Sequence, residues 1–293
     1  MNEEHTVIPL KTLYIPMHRY KLSENHMFLL RNSFAVVTLA FAFTQPAVAQ
    51  DRAFSFSLTG GAAVQPDYFG SDSYGVGPSG AFGFTGLRFG SAQFGDPDGP
   101  THFAPGSGLR GAFRYIPRRA GTDELLGLDN VRASVEVGLG LHYTTDTWQI
   151  YSDLRYGAIG HRGMAAELGA NLIYRGENGL VLHAGPRAEW GNSRFMRSYF
   201  GISPTEAAQI TALGNAGLGA LTPAGGFRPS SGIYSVGVEL GAYQPISDNW
   251  GVTGSLRFDR LRGDAAASPI VQQGRRDQIT AEIGLTRHFN LRF

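Results

Sequence analysis

The chain has 293 residues with 25 basic and 24 acidic side chains, and its formal charge of +1 leaves none of the basic excess that nucleic-acid binding requires. Cysteine is absent, which excludes disulfide staples, thiolate metal sites and cysteine nucleophiles. The 40 glycines, 19 phenylalanines and 12 tyrosines suit a sheet that alternates small positions on one face with aromatic ones on the other.

Residues 1–26 form a polar preface without structural pattern, read as a sign that translation begins at Met27, with an extended signal n-region from Met1 as the alternative. The apolar run 34–43 follows Arg31 and precedes Ala47-Val48-Ala49, the layout of a secretory signal peptide cleaved after Ala49. This run is about half the roughly 20 residues a membrane-spanning helix needs, so no such helix is expected. Residues 1–49 are therefore read as extension plus signal peptide, and 50–293 as a single domain. Beyond Ala49 all basic side chains are arginine, since the only lysines are Lys11 and Lys21.

Segments of alternating polarity recur from there to the end. Those at 53–63, 79–89 and 107–116 are weak, whereas 131–143 is clear: Val131, Ala133, Val135, Val137, Leu139, Leu141 and Tyr143 share one face. Its other face carries Arg132, Glu136 and His142, as expected of a β-strand with one apolar side. The pattern returns at 147–157 with Arg155, at 164–175 with Glu167, and at 179–190 with His183, Arg187 and Glu189. Segments 232–243 and 249–259 set Glu239 and Arg257 against apolar rows. Segment 194–201 is counted as a further strand. The last segment, 277–293, aligns Ile279, Ala281, Ile283, Leu285, Phe289, Leu291 and Phe293, and a chain stopping on such a phenylalanine is expected to be the closing strand of an outer-membrane barrel.

These eleven segments and a short strand expected between Phe89 and Phe103 predict an all-β, transmembrane antiparallel β-barrel of 12 strands, with 10 as the alternative, in the bacterial outer membrane and facing its lipid. The polar residues Arg132, Glu136, His142, Arg155, Glu167, His183, Arg187, Glu189, Glu239 and Arg257 are expected to line the lumen as a network. Stretches 191–193 and 244–247 read as periplasmic turns, 202–230 and 261–276 as extracellular loops, and Ala212 to Gly226 as a flexible loop. No internal repeat stands out.

Chemistry is sparsely signalled. A serine hydrolase needs a serine close to a histidine and a carboxylate, and no lumen-facing serine lies within two residues of His142 or His183. The Asp96-Pro97-Asp98-Gly99 run lacks the further ligands of a calcium loop, and the glycines of 83–90 lack a following lysine. No catalytic residue, cofactor or metal site is expected.

Three blocks carry a family resemblance. Residues 60–74 run Gly-Gly-Ala-Ala-Val-Gln-Pro-Asp-Tyr-Phe-Gly-Ser-Asp-Ser-Tyr and are followed by Pro78; 198–203 run Ser-Tyr-Phe-Gly-Ile-Ser before Glu206-Ala207; and 260–271 run Arg-Leu-Arg-Gly-Asp-Ala-Ala-Ala-Ser-Pro-Ile-Val. Their order and spacing resemble the MipA/OmpV family of outer-membrane proteins (MltA-interacting protein type) across nearly all of the mature chain. The resemblance implies a non-enzymatic barrel that acts as a scaffold between a lytic transglycosylase and a bifunctional murein synthase. Within the blocks, Pro204, Gly263 and several others are turn formers, so loop stabilisation is the plainer role. Asp67, Tyr68, Gly70, Ser71, Tyr199, Phe200, Gly201, Asp264, Ser268 and Pro269 are the loop-motif residues that would serve an interaction. A narrow channel for small solutes is the alternative, and an outer-membrane lipid hydrolase a more distant one.

Overall fold

The computed structural model describes residues 52–95, 102–121, 123–218, 221 and 225–293. The preface and signal-peptide assignments at 1–49, and Asp96 and Asp98, lie outside the described residues. Eleven strands form one antiparallel sheet: β1 (Arg52–Pro66), β2 (Tyr74–Phe89), β3 (Ala92–Gly95), β4 (Gly106–Ile116), β5 (Ser134–Thr144), β6 (Trp148–Ile159), β7 (Met164–Arg175), β8 (Val181–Gly191), β9 (Gly232–Ser247), β10 (Trp250–Leu261) and β11 (Asp277–Arg292). From β4 to β11 each strand pairs with its neighbour in sequence, then β11 pairs with β1, β1 with β2, and β2 with β3. The sheet curls until β2 meets β4, where no ladder forms.

Ten strands of 11 to 16 residues traverse the wall, enough for the roughly 9–11 residues a tilted strand needs to cross hydrocarbon. The eleventh, β3, is a stub of four residues in the 89–103 stretch where a short strand is expected. The difference from twelve comes from 194–201, which is helical. Asn192 Oδ1 accepts the Phe195 amide at 3.0 Å and starts α1 (Ser193–Phe200). Its apolar residues Phe195, Met196, Tyr199 and Phe200 recur at helical spacing, and a strand would divide them between two faces.

Pairing of Ala53 with Arg292 sets both ends of the described chain at one rim, here the near rim. Short connections there join β5 to β6, β7 to β8 and β9 to β10. Residues 244–247 belong to β9, and the turn is Asp248–Asn249. The 191–193 stretch sits at the opposite, far rim, because β8 ends there and leads into α1. The far rim also carries α2 (Pro204–Asn215), α3 (Gly263–Ala267) and α4 (Pro269–Gln273). Part of the stretch read as a flexible loop, up to Asn215, is thus the end of a capped helix: Ser203 and Glu206 form a capping box, with Pro204 in the first turn.

The outer wall is apolar in alternate positions. On β5, Leu139 and Leu141 are each 64% exposed, and Ile150, Leu168, Leu172 and Ile283 continue the belt on other strands. A water-soluble protein does not expose so continuous a surface, whereas lipid rewards it. The inner face is polar, and glycines make room in it. A Cβ on Gly169 would strike the Tyr151 ring, and one on Gly251 the Tyr243 ring, so these aromatic side chains lie across the lumen only because their neighbours have none.

Candidate functional site

Inside the barrel the alternating polar rows converge on Glu136, which is fully buried. Arg114 donates to it from Nε at 2.9 Å and from Nη2 at 3.1 Å, Arg155 Nε lies at 3.1 Å, and His161 Nε2 at 3.0 Å. Arg114 also donates through Nη1 to Glu189 at 2.9 Å and to the Tyr234 hydroxyl at 2.8 Å, while Tyr234 donates to Glu189. Arg257 extends the lattice to Glu167 at 3.2 Å, Glu189 at 3.3 Å and Asp259 at 2.6 Å. A second branch joins Arg187 to Glu239 at 2.9 Å and to Asn171 Oδ1 at 2.7 Å, with His183 Nε2 at 3.3 Å from Glu239. Forked guanidinium groups bridging several carboxylates neutralise the lumen from within, because each planar fork bonds in two or three directions.

Arg155, His183, Arg187, Glu189, Glu136, Glu167, Glu239 and Arg257 are brought together in this way. His142 faces the lumen nearer one end, bonded to Thr144 at 3.1 Å. Arg132 stands apart: it precedes β5 in an exposed connection and takes no place in the network, because the regular strand starts only at Ser134. Sequence reasoning missed Arg114, His161 and Tyr234. Arg110 and Arg114 share a face of the weakly patterned 107–116 segment, which was the available signal for the first; His161 lies outside any strand.

Both mouths are filled. At the far rim α1 lowers Phe195, Met196, Tyr199 and Phe200 onto Ile116, Tyr234, Leu261 and Val271. Phe69 packs edge-on to Tyr199 at 5.1 Å between ring centres. A second apolar cluster joins Leu125, Leu128, Ile202, Ile210 and Ile270, with Tyr68 beside it. At the near rim the His102 ring stacks on Tyr243 at 4.4 Å, and Phe103, with a left-handed φ of 55°, packs on His183 at 4.8 Å.

The three separated sequence blocks meet in the far cap. Tyr68 donates to Glu124 at 2.9 Å; burial and that carboxylate push its phenol above its usual range, so it stays neutral. Gly70, with φ of 100°, gives its amide to Gln278 Oε1 at 3.0 Å, and Gln278 returns a bond to the carbonyl of fully buried Ser71 at 3.1 Å. Tyr199 donates to Ser134 at 2.8 Å. Ser268 bonds the Phe200 carbonyl at 2.7 Å and caps α4, whose first residue is Pro269. Gly201 ends α1, and Asp264 accepts the Ser230 amide at 2.7 Å. These residues hold one another, and Phe200, Ser268 and Ser71 are buried by doing so.

Glu206 locks α2 into the cap by accepting the Ser203 amide at 2.7 Å and the Asp129 amide at 3.0 Å. Burial opposes its ionisation, but these backbone bonds outweigh burial and hold the carboxyl below its ordinary range. A lowered folded-state pKa contributes stability above the unfolded value, and that contribution is lost as pH falls through the lowered one. Glu206→Ala is expected to cost about 1–2 kcal/mol near neutrality and to flatten the acid side of the stability profile. Thermal unfolding of the two proteins over a series of acidic buffers measures both effects.

Among the described residues no cluster of three or more His, Asp or Glu is placed to hold a metal ion, and no helix is long and apolar enough to cross a membrane. A strand-built wall with a lipid-facing belt, a salt-bridged lumen and a helical cap defines a bacterial outer-membrane β-barrel. The family model described as MltA-interacting protein MipA matches residues 58–289, and the chain belongs to this family. Among solved structures it is similar to an outer membrane channel from Pseudomonas putida F1, at 9% identity and a TM-score of 0.41 over 84% of this chain and 100% of that one. It is also similar to OprG from Pseudomonas aeruginosa (10% identity, TM-score 0.25, 83% and 99% covered) and to Ail from Yersinia pestis (11%, 0.26, 82% and 99%). Comparison with curated proteins gives no match.

Proposed function

We propose that this barrel is a non-enzymatic scaffold of the outer membrane that gathers murein-degrading and murein-synthesising enzymes, a lytic transglycosylase and a bifunctional murein synthase, at its periplasmic face. The observation that carries the reading is the obstructed axis of the barrel. Apolar plugs at both mouths and cross-paired charges between them leave the outer surfaces for function, and the family is described by an interaction with MltA. The ring nitrogens of His142, His161, His183 and His288 bond Thr144, Glu136, Glu239 and Tyr243, which favours a structural role for these histidines over that of a base in hydrolysis.

The near rim, with both ends of the described chain and the short turns, faces the periplasm in this reading, and the helical cap faces outward. Photo-reactive residues placed singly at Asp248 in the near-rim turn and at Gln209 on α2 test it in intact cells. Capture of the two murein enzymes from position 248 and not from 209 is the expected result. Capture from 209 alone would invert the orientation, and capture from neither would remove the scaffold role.

A further inference from the structure

The seam between β2 and β4 is where the wall lacks a ladder, and a cavity of about 260 Å³ lies behind it. Unpaired strand edges are costly in hydrocarbon, so two such edges left in contact mark a place where the wall can part. Side chains seal part of the seam instead of hydrogen bonds. On the lipid side the Phe82 ring covers Gly111, and Phe113 closes over Gly80. Toward the far rim the seal thins, and a second cavity of about 330 Å³ runs between Gly75–Gly77 of β2 and Pro117–Arg119 after β4. The two cavities share Gln65, Asp67, Tyr68 and Arg119 as lining residues, so they form one passage from the seam to the lumen.

The charge of this passage is specific. Its inner wall has the carboxylates of Asp67, Glu189, Glu239, Asp259 and Glu282 against the guanidinium groups of Arg114, Arg119 and Arg257. Glu189, Glu239 and Asp259 are each held by arginine, and Arg119 donates to the carbonyls of Tyr199 and Asp129. Glu282 faces the cavity from β11, beside Ala63 and Ser255 in register, and has no ion-pair or hydrogen-bond partner among the described residues. Ser79 Oγ, on β2 and in the same lining, is buried and unbonded. Phe69, Phe113, Tyr199 and Tyr234 provide the apolar and aromatic remainder. A free carboxylate at the end of an aromatic-walled passage matches an ammonium head on an apolar body, through charge and cation–π contact together.

We infer that this cavity is a binding site for an organic ammonium ion with an apolar body, admitted between β2 and β4, with Glu282 as its counter-ion and Ser79 as a hydrogen-bond acceptor. The site is separate from the scaffold role and stands or falls without it. Isothermal titration of the purified full chain in detergent micelles with hexylammonium tests it, with hexanoate as the same body bearing the opposite charge. Saturable hexylammonium binding is expected, with none for hexanoate, a loss of about tenfold or more in affinity for Glu282→Gln, and substantial retention in Glu282→Asp. Because Glu282 supports no other side chain, the Glu282→Gln barrel should keep its heat-modifiable migration. The chain has no cysteine, so a disulfide between Phe82→Cys and Gly111→Cys tests the route: oxidation should slow uptake and reduction should restore it. Absence of saturable binding, equal binding of hexanoate, or full affinity in Glu282→Gln would overturn the site, and uptake at unchanged rate through the locked seam would overturn the lateral route.

Discussion

Glu136→Ala is expected to lower the stability of the barrel by about 3–5 kcal/mol, the usual cost of removing one partner from a buried ionic cluster. The carboxylate is fully buried and accepts from Arg114, Arg155 and His161, so its loss leaves two neighbouring guanidinium groups without the carboxylate nearest to both. Arg114 has Glu189 as a second partner, and Arg155 lies 3.5 Å from the same carboxylate and 3.6 Å from Glu167, so these two carboxylates take up the remaining charge. Glu136→Gln keeps an acceptor oxygen and the volume but not the charge, and should fall between wild type and alanine. Urea unfolding in micelles, followed by tryptophan fluorescence and by heat-modifiable migration, gives both values. A change below about 1 kcal/mol for the alanine variant would mean that the cluster is hydrated rather than sealed.

The second large effect lies in the cap. Phe195 is completely buried at the point where α1 meets the barrel, packed on Tyr199 and Tyr234 at 4.9 Å between ring centres and edge-on to His161 at 5.2 Å. Phe195→Ala removes this ring from among Tyr199, Tyr234 and His161, which are held by their bonds to Ser134, Glu189 and Glu136 and cannot close in, so a cost of about 3–5 kcal/mol is expected from lost burial and the remaining cavity. The loss should be local first. Trypsin should cut at Arg194 or Arg197 in the variant well before the strands unfold, whereas a global loss without earlier cleavage would show that cap and wall unfold together.

Much of the wall was legible because lipid imposes a period of two on every strand. Segment 164–175 coincides with β7, and 147–157 and 277–293 differ from β6 and β11 by a residue or two at their ends. Segment 131–143 overran its strand by three residues, because Val131, Arg132 and Ala133 keep the alternation while Val131 pairs instead with Arg119 in an isolated bridge. That shift is why Arg132 lies outside the lumen. The helix at Ser193–Phe200 was hidden by reading a short apolar run with the period of its surroundings; the Asn192 cap and the pairs 195/199 and 196/200 were the local signals for a helix. What no single strand could reveal is which rows meet. Glu136 and Arg114 are linked by the β4–β5 register, which pairs them directly, but Glu189 reaches Arg114 only across the closed barrel. The convergence of the blocks around Tyr68, Phe200 and Ser268 likewise depends on closure, since 56 to 68 residues separate Tyr68 from Glu124 and Phe200 from Ser268.

The barrel is closed along its axis by packing at both mouths and by charge pairing between them, whatever enters from the side. Single-channel recording of the purified protein in a planar bilayer tests it most directly. The expected trace is silent, because the α1 plug, the Glu136 and Glu189 lattice and the His102–Phe103 contact with Tyr243 lie in series along one axis. Regular ohmic steps that disappear on Arg187→Glu would show ions passing the lumen beside the Arg187–Glu239 pair, and would contradict the scaffold reading in favour of a channel.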